Sequence, residues 1–230
     1  MRLTNKAKAA AFGLALASMT VGGALAYFSG SAAKVSNDFH IVAGSQDQKG
    51  DAGTIKEPEW DKQKEEDKNG DGTKDVQQAQ PGQTFKKDPS LTSNVEYGAV
   101  GYIRVKVPTI DAKTDGDAES KVYDTFKLGA INSDFTEVSA SKSQTAGEDS
   151  VYIYRYNKQL GKGEATPALF EEITVPAFVE IAEGQSGLTD SIDVDAVLLQ
   201  TEGYATVGAN KAITEAAADA EALVMFGNIQ

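Results

Sequence analysis

No cysteine occurs anywhere in the chain, and His40 is its only histidine. Without thiols there is no disulfide framework, no thiolate metal site and no cysteine nucleophile, so stability must come from a packed core or from partners. A single histidine excludes a His-Glu-x-x-His zinc site and leaves any Ser-His-Asp triad dependent on His40 alone. Acidic side chains are plentiful, but nothing in their spacing selects a carboxylate pair for glycoside hydrolysis. Basic residues are scarce: 22 Lys and Arg stand against 34 Asp and Glu, a net charge of −12. A surface of that sign repels phosphate, which argues against a nucleic-acid partner and confines membrane contact to export.

Charge is missing altogether from 9 to 26. Arg2, Lys6 and Lys8 precede this stretch, and it ends in Ala24-Leu25-Ala26. A positive start, a short apolar middle and small residues before the junction form an export signal over 1–26, cut between Ala26 and Tyr27. Diluted by Gly, Ser and Thr, the stretch is at the short end of what spans a bilayer. Removing its three basic residues takes the net charge from −12 to −15. The expected location is therefore secreted, in an extracellular matrix or at the cell surface.

The mature chain divides by composition. Residues 27–44 contain a strand pattern over 35–43, with Val35, Phe39 and Ile41 on alternating positions. Residues 45–80 form an acidic stretch with few apolar side chains, expected to be a solvated linker or surface loop tacked down by Trp60. Residues 81–230 carry the β signals. In 100–107, Ile103, Val105 and Val107 alternate with Tyr102, Arg104 and Lys106, which predicts one buried and one wet face. The segments 151–156 and 191–199 repeat the pattern, with weaker strands at 83–87, 135–140 and 172–175. Short strands between turn signals predict a mainly β fold, an antiparallel sandwich with the acidic stretch as a loop insertion. A helix over 212–224, with Ile213, Ala216, Ala220 and Leu223 at helical spacing, should pack on one edge or end. A domain of this size buries about 70% of the surface its unfolded chain exposes.

Two local patterns bear on ligands. Asp67, Asn69, Asp71, Thr73 and Asp75 place oxygen atoms at every second position around Gly72, as in the first part of a calcium loop. The twelfth position is Gln78 rather than a bidentate Glu, so the stretch also reads as an acidic hydrophilic turn. Tyr152, Tyr154 and Tyr156 share one side of a strand, either as a stacking platform for a glycan or partner or as cross-strand packing.

The junction Gly-Gly-Ala-Leu-Ala-Tyr27-Phe28-Ser29, with Asn37-Asp-Phe39 and Val42-Ala-Gly44 after it, combines with Pro81-Gly82-Gln-Thr-Phe-Lys-Lys87-Asp88-Pro89 and Tyr102-Ile103-Arg104-Val105-Lys106-Val107. So combined, and with Thr166-Pro167 and Val175-Pro176 downstream, the chain resembles the exported proteins processed by SipW-type signal peptidases. These include TasA-like biofilm fibre subunits and camelysin-like surface proteins. The resemblance implies a jelly-roll-like β-sandwich that self-assembles into extracellular fibres, with an accessory matrix protein as a further partner. It also implies that an N-terminal strand of one subunit completes the sheet of the next. Tyr27 to Val42 is then the donor segment, anchored by Phe28, Val35, Phe39 and Ile41; pairing of this strand within its own subunit is the competing expectation. Two other functions stand beside this: a monomeric adhesin or glycan-binding module, and a camelysin-like metallopeptidase, which one histidine and no zinc motif disfavour.

Overall fold

The computed structural model describes residues 30–35, 52–63, 81–95, 98–182, 192–200, 204–206, 209–211 and 214–228. Its strands run β1 (Gly30–Val35), β2 (Gly53–Lys56), β3 (Thr84–Lys86), β4 (Ser90–Ser93), β5 (Ala99–Thr114), β6 (Lys121–Asp124) and β7 (Lys127–Leu128). They continue as β8 (Phe135–Ser141), β9 (Asp149–Leu160), β10 (Glu172–Thr174), β11 (Phe178–Ile181), β12 (Asp193–Gln200), β13 (Tyr204–Thr206) and β14 (Ala209–Lys211). The helices are α1 (Pro58–Gln63) and α2 (Glu215–Asn228). The fold is mainly β, with antiparallel sheets and a C-terminal helix.

The main sheet has the order β1-β12-β5-β9-β8; β3-β10-β7 form a second sheet, and β2 with β4 and β13 with β14 form pairs. β5 organises them. From Ala99 to Lys106 it lies between β12 and β9, and beyond Pro108 it pairs with β6 and β11. Pro108 marks the change because it has no N–H to extend a ladder. Pairing with β9 ends at Pro108–Asp149, and the Pro108 carbonyl accepts from Thr125 N–H at 2.9 Å. At Gly101 the β5–β9 register shifts, and the missing side chain lets Leu91 and Leu160 lie close against the backbone, where a Cβ would stand 2.8 Å from Leu91 Cδ2.

One core joins the main sheet to the smaller ones. Ile103, Val105 and Val107 enter it with Tyr152, Tyr154, Val194 and Leu198, and Phe85, Leu91 and Ile173 come from the other sheets. The opposite face of β5 is not wet, as its alternation predicts. Tyr102 and Arg104 are buried there because α2 lies across the sheet, packing Ala218, Ala222 and Phe226 on Tyr102, Ile153, Val197 and Leu199. The helix therefore covers a face rather than an edge or end. Its buried stripe also differs from the expected one: Ala216, Ala220 and Leu223 are exposed. Each large apolar side chain so buried contributes about 1.5–3 kcal/mol, which holds a helix too short to be stable in isolation.

The expectation of a solvated stretch over 45–80 fails for 53–63. β2 pairs antiparallel with β4, Gly53 opposite Ser93 and Lys56 opposite Ser90, and Ile55 and Trp60 are buried. Few apolar side chains suffice because polar groups fasten the segment. Asp88 Oδ1 accepts from the N–H groups of Glu59 and Trp60 in the first turn of α1, at 2.9 and 3.4 Å.

Candidate functional site

At the outer edge of the main sheet, β1 lies antiparallel on β12. Gly30 faces Leu198, Ser31 faces Val197, Ala32 faces Ala196 and Val35 faces Val194, with an irregularity after Ala32. β12 is held on its other side along its full length by β5, from Asp193–Lys106 to Gln200–Ala99. β12 is thus paired on both sides, and its ladder with β5 does not involve β1. Its Val194, Ala196 and Leu198 are wholly buried in the main core, and its Val197 and Leu199 lie under α2. An edge so placed offers unpaired N–H and C=O groups to any strand that replaces β1.

The observed strand begins earlier than the alternation of Val35, Phe39 and Ile41 predicts. Val35 is its last residue; Phe39, His40 and Ile41 lie outside the described residues, as do Ala24, Ala26, Tyr27 and Phe28. The segment Gly30–Lys34 contains only small residues and one lysine, so no β-branched or aromatic signal marks it as a strand. Asp67, Asn69, Asp71, Thr73 and Asp75 also lie outside the described residues. Among the described residues no three His, Asp or Glu side chains are grouped to hold a metal. The tyrosine row is not a platform: Tyr152, Tyr154 and Tyr156 are less than a tenth exposed and pack in the core.

Polar groups buried around this edge were not marked by any sequence pattern. Arg104 and Asp195 are directly opposed on β5 and β12. Arg104 Nε donates to Asp195 Oδ1 at 2.8 Å, its Nη2 donates to Oδ2, and its Nη1 donates to the Phe226 carbonyl at 2.8 Å. The guanidinium also lies over the Phe226 ring, 4.8 Å from its centroid. One side chain therefore ties two strands to the end of α2. Near the start of α2, Asp219 accepts from the Tyr102 hydroxyl at 2.9 Å and from Arg155 Nη1 at 2.9 and 3.0 Å. Burial, then the Asp219 carboxylate, pushes the Tyr102 phenol well above its ordinary range. Burial and Asp124 do the same to Tyr152, and Tyr154 is pushed up to about 12 by burial and Glu137.

On the inner side, Lys87 is fully buried and donates from Nζ to both carboxylate oxygens of Glu57, at 2.7 and 2.9 Å. The ammonium lies 5.0 Å from the Trp60 ring centroid, and Trp60 meets Phe85 edge to face at 6.4 Å.

Compared with protein-family models, with curated proteins and with solved structures, the chain matches none.

Proposed function

We propose that this is an exported structural subunit of extracellular fibres or biofilm matrix, polymerising as β1 of one copy replaces β1 on β12 of the next. The observation that carries this reading is that β1 is the first described element of the chain and stands at the end of the main sheet, against a template fixed from its other side. Such a strand can be exchanged without rebuilding the core, and backbone pairing then gives affinity while the alternating side chains set register. The resemblance to SipW-processed, TasA-like proteins supports the same reading, as does the export signal three residues ahead of β1. On this reading the domain is a jelly-roll-like sandwich, the partners are further copies and an accessory matrix protein, and no catalytic residue is involved.

Electron microscopy and sedimentation on protein beginning at Tyr27, beside protein keeping residues before it, test the proposal. Fibres from the form beginning at Tyr27 alone are expected. Monomers from both forms across concentration and pH would contradict it and favour a surface binding module.

A further inference from the structure

We propose that Glu57, Lys87 and Trp60 form a latch that stays shut during assembly, so that an exchanged β1 stays tethered at Gly53 and neighbouring subunits are held close together. The inference rests on the strand-exchange reading above and says which part of the chain can travel.

The latch joins the connection between β2 and α1 to the one between β3 and β4, 30 residues along the chain. Both charged side chains are removed from water, at 0% and 3% exposure, so opening it would break two charge-assisted hydrogen bonds and uncover the buried Trp60 ring. Trp60 closes over the pair, its ring against the ammonium. Its indole Nε1 is itself buried with no hydrogen-bond partner among the described residues. That orphan donor shows the ring is held by packing and by the cation rather than by a polar anchor. The Asp88 carboxylate, next to Lys87, adds its bonds to the N–H groups of Glu59 and Trp60.

Along the chain, this latch follows β1 and precedes β3. β1 ends at Val35 and β2 begins at Gly53, so with the latch shut the connection spans at most about 60 Å at full extension. With it open, the next fixed strand is β3 at Thr84, and the span rises to about 160 Å. A Cβ on Gly53 would lie 2.8 Å from Leu198 Cδ1, so the strand leaves its own subunit beside that subunit's own β12 edge. Because departure point and acceptor edge coincide, the span limits the spacing of successive acceptor edges to about 75 Å, allowing one strand length. A linker of 45–80 acting as a free tether would impose no such limit.

Trp60 is the only tryptophan, so its fluorescence reports the latch without any substitution. The test compares acrylamide quenching of Trp60 in monomers and in fibres grown from protein beginning at Tyr27, with deuterium uptake across 53–63 as a second readout. Equal, weak quenching and equal protection in both states, with a fibre repeat below about 75 Å, are expected. Fibres whose Trp60 quenching and 53–63 uptake rise several-fold over the monomer would overturn the latch while leaving strand exchange standing. Protein that never assembles, with Trp60 shielded throughout, would overturn the strand-exchange reading and the latch's role in it together.

Discussion

At the scale of single residues, close packing and buried charge decide what this chain tolerates. A Cβ on Gly53 would also lie 2.9 Å from the Thr92 carbonyl oxygen, a backbone atom that cannot turn aside. Gly53→Ala should therefore cost about 1–3 kcal/mol, read as a lower urea midpoint at unchanged slope. The pair Arg104–Asp195 predicts a larger asymmetry. Asp195→Ala leaves a buried guanidinium with no anion and should cost about 3–5 kcal/mol, whereas Arg104→Met with Asp195→Leu should cost far less. Chemical denaturation of the two variants checks this, and equal losses would show that the ion pair is not buried as described. The raised phenols of Tyr102, Tyr152 and Tyr154 set the alkaline limit. In the unfolded chain they ionise near pH 10, while in the fold they remain protonated, so their contribution is complete below about pH 10 and is lost as pH rises towards 12 and beyond. Tyrosinate absorbance should show these groups ionising only together with loss of the near-ultraviolet dichroism.

At the scale of elements, the strands were legible where β-branched and aromatic residues alternate. The cores of β5, β9 and β12 fall where Ile103, Val105, Tyr154 and Val194 predict them, although β5 and β9 run further than their patterns and β12 starts two residues later than its own. β1 was not legible, because Gly30, Ser31, Ala32 and Ala33 carry no strand preference and owe their conformation to β12. The packed segment 53–63 was hidden for a different reason: Ile55 and Trp60 are isolated apolar residues, and Glu57–Lys87 is a pairing of distant charges that local spacing does not reveal. α2 was legible as a helix, but alanines on every side left its buried face ambiguous until Tyr102 and Val197 supplied a surface. Since Phe226 closes that interface and covers Arg104, Phe226→Ala should cost about 3–5 kcal/mol and speed hydrogen exchange throughout α2. Unchanged exchange in α2 would show that the helix does not depend on this contact. The calcium reading of Asp67 to Asp75 predicts faster protease cutting near Asp71 when calcium is removed, and unchanged cutting would dismiss it.

At the scale of the molecule, a cysteine-free, acidic chain joins a packed β domain to an N-terminal strand on the edge of its main sheet. The central claim is that this strand is shared between copies. Ala32 and Ala196 are directly opposed across β1 and β12, and antiparallel partners stand about 4.5–5.5 Å apart at Cα, within reach of a disulfide. No native cysteine competes. The most direct measurement is therefore to assemble the Ala32→Cys/Ala196→Cys variant, oxidise it and resolve it under denaturing, non-reducing conditions. Strand exchange predicts a ladder of covalent oligomers that collapses to monomer on reduction. Assembled material that yields only internally linked monomer would contradict the account.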